Sequence, residues 1–426
     1  MQEDFLHYLW KYKKFDFTRA RTSDGLDLGL VDPGIHNQNS GPDFFNAKLR
    51  IGDQLWAGNV EIHLKASDWY FHRHESDSNY DNVILHVVWE DDIEVYRKNN
   101  SVIPSLALNG LVNDALVNKY RELLNTHQKW INCEKDFPSV DDFKLRHWLE
   151  RVYFERLKNK SDLILEMLKA SENNWEAVLF RLLAKNFGLN VNGDAFLSFA
   201  QSFDFSVVQK CSTDRLKLEA LFMGQAGMLE KGASDSFYRN LKTEYEFLKH
   251  KYQLSNRQVV RPKFFRLRPD NFPNIRLSQL ASLYHSHKNL FSDLILAKEL
   301  GSIYELFDVE TSDFWQTHYS FSKTHRRRSK KISRNFVDLV IINTVVPLKF
   351  CYARETGKEP QEEIQSILEK IKPENNSIVE KFNWLRQDTA TNAMESQAIL
   401  QLKNHYCERN KCLNCEIGAE LLKAVN

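Results

Sequence analysis

The spacing of apolar residues changes once along this chain, and that change limits the fold more than any other feature. Between about residues 20 and 110, apolar and polar residues alternate. Leu26-Asp27-Leu28-Gly29-Leu30-Val31 stops at Asp32-Pro33-Gly34, Ala47-Lys48-Leu49-Arg50-Ile51 meets a turn at Gly52-Asp53, and Trp56 to Lys65 alternates again. A period of two sends successive side chains to opposite faces, so these segments read as strands and the last two as a hairpin. Val83 to Trp89 is almost continuously apolar, as a buried strand is, and Ile93 to Arg97 offers one more. An amphipathic helix precedes them over 1–14, where Phe5, Leu6, Leu9 and Trp10 recur at helical spacing.

Beyond about residue 112 the period becomes helical. The spacing predicts helices over 112–126, 141–170, 175–187, 216–229, 236–252, 276–300, 334–353, 359–371 and 376–421. Gly224-Gln225-Ala226-Gly227 follows no strand, so it reads as a helix crossing or cap and not as a phosphate loop. The expected fold class is therefore α+β: a helix with a mostly antiparallel or mixed sheet, then a large all-α region. The expected domains are 1–125, 126–255 and 256–426, the last carrying a Pro-rich basic connector from Arg261 to Pro273.

Composition excludes the simpler alternatives. With 42% hydrophobic and 27% charged residues, the 426-residue chain is neither disordered nor a disulfide-stapled miniature. Its net charge of +1 hides an asymmetry: 19 acids face 14 bases up to residue 130, and 38 face 44 after it. Such a split arises by chance, and it also suits a metal site beside a polyanion-binding surface. No signal peptide is evident, and the apolar run from Val337 is broken by Asp338 and Asn343, too soon to span a bilayer. A cytoplasmic protein without membrane attachment is expected, its six cysteines reduced or metal-bound.

The stretch from 41 to 89 carries the most chemistry. Glu61, His63 and Lys65 share one face of a strand, and Asp43, at the start of the paired strand, can meet Glu61 across the hairpin. Two carboxylates converging beside a nitrogen base suit a hard divalent cation, which polarises a phosphodiester and acidifies a bound water. Four histidines lie between 63 and 86. His63, His72 and His74, with Asp77, compose a rival zinc site, and His86 reads as a hydrogen-bonded strand residue. The plainer alternative is a hairpin with surface acids.

Pro42-Asp43, Glu61 and this order of elements resemble the PD-(D/E)XK nuclease superfamily, whose core runs helix, three strands, helix, strand. The resemblance implies a restriction-endonuclease-like fold, with Asp43 and Glu61 holding Mg²⁺ or Mn²⁺. It also implies Glu3 as a third carboxylate and Tyr80 as a residue of the following helix. The superfamily's Lys falls at His63 here, so either His63 or Lys65 would orient the attacking water. Over its length the chain is also similar to a bacterial family of unknown function. That likeness rests on Ser40-Gly41-Pro42-Asp43-Phe44, Gly58 to His63, Tyr80 to Val88, Arg268 to Pro273 and Ile342 to Pro347.

Two basic stretches could hold phosphates. Arg257 to Arg276 interleaves Arg266 and Arg268 with Phe264, Phe265 and Phe272. The second stretch, from Lys323 to Lys331, contains Arg326, Arg327, Arg328, Lys330 and Lys331 and no acid. Their bland readings are a packed Pro/Phe corner and a solvated loop. At the C-terminus, Cys407-x4-Cys412-x2-Cys415 has the spacing of ligands to an iron–sulfur cluster or zinc, with Cys133 or Cys351 as a fourth thiol or His405 in its place. Three ordinary thiols on a terminal helix is the alternative, and Cys211 fits no pattern. The expected function is a metal-dependent nuclease acting on nucleic acid. Its alternatives are a non-catalytic nucleic-acid- or protein-binding scaffold on the same fold and a zinc hydrolase built on His63, His72 and His74.

Overall fold

A computed structural model describes residues 1–37, 39–124, 129–230, 232 and 235–423. The chain divides into two units. The first comprises 1–148, 384–387 and 401–426, and the second 149–383 and 388–400. The division is thus twofold and not threefold. The chain's end belongs to the first core, where Cys412, Leu413, Ala419 and Leu422 pack with Phe5, Leu9 and Trp10. The expected boundary at 125/126, and the end of the helix expected there, lie outside the described residues.

The first unit opens with α1 (Glu3–Lys11), whose Phe5, Leu6, Leu9 and Trp10 are fully buried. Burial of each of these side chains contributes roughly 1.5–3 kcal/mol. A sheet follows, built from β1 (Leu28–Asp32), β2 (Ile35–His36), β3 (Phe44–Ile51), β4 (Gln54–Lys65), β5 (Val83–Glu90) and β8 (Ser105–Ala107). The spatial order is β1-β3-β4-β5-β8, with β2 also on β3. β1, β2 and β4 run antiparallel to β3, whereas β5 is parallel to β4 and β8 to β5. The sheet is therefore mixed. The β4–β5 crossover holds α2 (Asp68–Phe71) and two single turns. The strand expected over 93–97 shrinks to β6 (Val95–Tyr96), which pairs with β7 (Val102–Ile103) in a separate ribbon. Opposite faces of the sheet carry different cores. Val60, Ile62, Leu85 and Val87 pack with α1, while Val88 packs with Trp69, Tyr80 and Val95.

The second unit is helical apart from one short ribbon, His318–Ser320 against Lys323–Thr324. Phe199, Phe203, Phe205, Phe222 and Tyr284 surround the Phe180 ring in tilted or edge-on contacts, with centroids 5.3–6.2 Å away. The helix expected over 276–300 is broken into Pro273–Ser286 and Leu290–Leu296. That over 376–421 is broken after Leu385 and again after Cys407. Gly224 lies under the Tyr245 ring, where any β-carbon would collide, so it is a helix crossing as its sequence suggests. Arg334–Glu355 forms 22 continuous helical residues, long and apolar enough to cross a membrane but mostly buried, as a core helix is. Asp338 and Asn343 do not interrupt it, because Asp338 accepts from the Tyr304 hydroxyl (2.5 Å) and Asn343 from Lys160 Nζ (3.1 Å). A π-turn at Ile341–Val345 precedes Pro347, which has no N–H to continue the α ladder.

Candidate metal centre

The hairpin brings the two predicted carboxylates together. Asn46 adopts a left-handed φ of 58° and donates its N–H to Asn59 Oδ1 at 3.3 Å, a bulge that sets Phe44 opposite Val60. Asp43 then meets Glu61: the Asp43 N–H donates to Glu61 Oε2 at 3.1 Å, and the Ile62 N–H donates to Asp43 Oδ2 at 3.0 Å. The loop before them is tied by Asn37, whose Nδ2 donates to the carbonyls of Asn39, Ser40 and Pro42 at 3.0–3.1 Å.

Parallel pairing supplies the next layer. Glu61 is in register with His86, and on this shared face His63 Nδ1 lies 2.8 Å from His86 Nε2. The crossover then folds back over the strands. Asp68, the first residue of its first turn, accepts the Lys65 N–H from the end of β4, and Arg73 reverses the chain in a left-handed conformation, φ 62°. His72 and His74 flank that reversal. His72 Nδ1 lies 3.0 Å from His63 Nε2, and His74 Nε2 lies 3.4 Å from Glu61 Oε1, which is itself 3.6 Å from His63 Nε2. Tyr80 stacks on the His74 ring at 3.8 Å, and Trp69 meets it edge-on.

One donor atom from each of His63, His72 and His74 falls within a sphere where all lie within 4.8 Å of one another. His74 Nε2 is buried without a hydrogen bond, the state of a nitrogen whose partner is an ion. The donor set fits a divalent metal. Three imidazoles with one carboxylate favour Zn²⁺ or Mn²⁺ over Mg²⁺, which prefers oxygen.

Electrostatics agree with the geometry. Burial, and then the charge of Asp43, push the Glu61 carboxyl up to about 9. Burial, then the neighbouring imidazoles, pull His63 down to about 2, and burial pulls His86 down to about 3. Both are therefore neutral, as metal ligands and their supports must be. Glu3 lies close enough to Asp43 for its carboxyl to be raised by burial and by that charge.

Two contributors escaped the sequence reading. His7 of α1 places Nε2 3.2 Å from Asp43 Oδ2, and His36 packs edge-on against His7. Burial lowers His7, but the hydrogen bond and charge of Asp43 outweigh it and the net shift is upward. His7 stands two residues from Phe5 and three from Trp10 of α1, and only its spacing from Glu3, about one helical turn, marked the two as sharing a face.

Lys65 is placed elsewhere. It sits at the exposed end of β4, 3.6 Å from Glu90, so it is not brought to the carboxylates. Asp77 caps the turn at Ser78–Tyr80 by accepting the Asn79 N–H. Of the basic residues, Arg266 and Arg268 are exposed beside exposed Phe264 and Phe265, with the Arg266 guanidinium over the Phe265 ring. The second stretch is more engaged. Arg327 pairs with Asp313 and Gln316, Arg328 with Asp270, and Lys331 with Asp308. Lys330 turns inward, its ammonium taken up by the Trp315 and His318 carbonyls over the Tyr319 ring, so it is not offered to a phosphate. Arg326 stays exposed.

The chain was compared with known families and proteins. A family model described as a protein of unknown function (DUF2851) matches residues 3–377. The chain belongs to that family. No curated protein and no solved structure matches it.

Proposed function

We propose that the first unit is a metal-dependent hydrolase of phosphodiester bonds in nucleic acid. The observation that carries this reading is the convergence of His63, His72 and His74 with Glu61, adjoined by Asp43 and His7. Glu61 and the three imidazoles would hold the ion, and Asp43 would ligate it from the other side or take the proton of its bound water. A bound Zn²⁺ or Mn²⁺ would supply Lewis acidity and an acidified water. With both nitrogens engaged, His63 is a ligand and not the base.

The nucleic-acid part of the reading draws on further observations. We read the order of α1, antiparallel strands, crossover and parallel β5 as resembling the PD-(D/E)XK core, with Pro42-Asp43 and Glu61 standing at its acidic positions. Exposed Arg266, Arg268, Phe264 and Phe265 offer phosphate and base-stacking contacts. Six free cysteines suit a reducing compartment such as the cytoplasm.

The test has two parts. Isothermal titration with Zn²⁺, Mn²⁺ and Mg²⁺ should show about one tight ion more in the wild type than in His74→Ala. Hydrolysis of bis-p-nitrophenyl phosphate and of labelled DNA and RNA should vanish in Asp43→Asn while nucleic-acid binding persists. Full activity of Asp43→Asn removes the proposal. The competing scaffold reading has one observation in its favour, the turning of Lys65 to Glu90, and salt-sensitive binding without turnover in any of the three ions would select it.

A further inference from the structure

The first unit holds a second group of metal-ligating side chains, formed by residues far apart in sequence. Cys407 ends a π-turn of the chain's return, Cys412 opens a single 3₁₀ turn, and Cys415 precedes the C-terminal helix Glu416–Lys423. Cys133 comes from the other end of the unit, on a turn closed by the Asp136 and Phe137 N–H groups donating to its carbonyl. All four are free, Cys412 and Cys415 buried and Cys133 and Cys407 half-buried. Cys133 packs against the core that holds Cys412, and its neighbour Asn132 ties that turn to the one at 410–412. Cys351, the other candidate, packs in the second unit with its thiol toward the Ser161 carbonyl at 3.9 Å.

Burial holds all four thiols above their ordinary value, so each keeps its proton unless a metal takes that proton's place. The Cys412 sulfur accepts from Asn132 Nδ2 at 3.2 Å, and the same amide holds Asn410 Oδ1 at 3.0 Å. Gly418 has no room for a β-carbon because the Cys412 carbonyl presses against it, so this glycine keeps the turn and the helix together. Asn410, in the left-handed region at φ 54°, turns the chain between Cys407 and Cys412. Lys403 contributes a buried positive charge near Cys407. An amide N–H directed at the Cys412 sulfur would stabilise negative charge there.

We propose that Cys133, Cys407, Cys412 and Cys415 together bind a thiophilic metal centre through four thiolates. Two sources share that chemistry, a single tetrahedral zinc ion and an iron–sulfur cluster. Among the described residues the donors drawn within 4.8 Å of one another are imidazoles. Binding deprotonates the four thiols and releases their protons to solvent. The centre joins the turn at 133 to the chain's end, so its role is to fasten the return segment to the first unit, independently of the histidine site.

The full chain carrying His74→Ala, which empties the histidine site, purified without oxygen and without a metal-affinity step, should contain either iron with acid-labile sulfide and visible charge-transfer absorption, or one zinc per chain without colour. Either supports the centre and identifies the metal. On that background Cys412→Ser/Cys415→Ser should lose at least nine-tenths of that metal, and Cys351→Ser should keep it. Because the double variant could fail to fold, the wild type is also probed by alkylation with mass mapping. Cys133, Cys407, Cys412 and Cys415 should be protected together and become reactive together after chelation. Less than a tenth of an equivalent of iron or zinc, before and after reconstitution, overturns the proposal, as does metal retained by the double variant.

Discussion

Replacing Glu61 by Gln should flatten the alkaline limb of the metal-free protein's stability curve. Burial, then Asp43, push Glu61 from its ordinary 4.5 up to about 9. Between those values the unfolded chain releases a proton that the folded protein keeps. Each pH unit in that window therefore costs the folded state about 1.4 kcal/mol. From pH 6.5 to 8.5 the cost is about 2.7 kcal/mol, and Glu61→Gln should be spared it. His63 and His86 act in a different window. Their folded values, about 2 and about 3, lie below the ordinary 6.5, so their cost grows only as pH falls through 6.5. Urea unfolding in EDTA at pH 6.5, 7.5 and 8.5 measures the effect, with hydrogen exchange of β4 and β5 reading the first unit by itself. Wild-type and variant curves that stay parallel over this range would refute the reasoning. Saturating Mn²⁺ should flatten the wild-type curve too, because the ion takes the proton's place.

Arg266→Ala/Arg268→Ala should weaken nucleic-acid binding at every sequence and reduce the salt slope by about 2, whereas Lys330→Met should leave the slope unchanged, as titrations from 50 to 200 mM salt will show. Gly224→Ala should destabilise the second unit by roughly 1–3 kcal/mol, since its β-carbon meets the Tyr245 ring. Adding Tyr245→Leu should recover part of that loss in the same denaturation assay. Wild-type stability in Gly224→Ala alone would show that the helices separate freely there.

The sheet was legible because its strands obey the period of two, and β4 and β5 are found within two residues of their expected limits. The parallel direction of β5 was not written in any local pattern; it follows from a crossover that must return the chain to the same edge. Helices Leu189–Gln201 and Phe205–Cys211 were missed because glycine, asparagine and serine dilute their apolar faces, and aromatic packing supplies what propensity lacks. Within the site, strand parity put Glu61 and His63 on one face and hairpin pairing put Asp43 opposite. Parity alone also put Lys65 there, but the strand's end leaves it in solvent. His7 was hidden because a helix docking onto a sheet face is a tertiary event. Of the four-thiol group, spacing exposed three members and left the choice between Cys133 and Cys351 open.

The histidine chain also fixes what metal uptake exchanges. His63 Nδ1 faces His86 Nε2, and His63 Nε2 faces His72 Nδ1, so each pair shares one proton. If His86 donated to His63, the remaining His63 proton would occupy Nε2 and block the ion. The metal-binding arrangement therefore has His63 Nδ1–H donating to His86, which orients the ring as a support outside the ligand set does. His72 then moves its proton to Nε2 and frees Nδ1, so no imidazole needs to lose a proton to solvent. Glu61 must lose one. Metal affinity should accordingly rise about tenfold per pH unit from pH 6.5 to 8.5, with about one proton released per ion. Calorimetry in buffers of different ionisation enthalpy measures that number. His86→Phe, which removes the acceptor that fixes the tautomer, should weaken binding about 10–100-fold without changing it. A proton count near zero in the wild type would mean either that Glu61 is already ionised before the ion binds or that it keeps its proton and stays outside the ligand set.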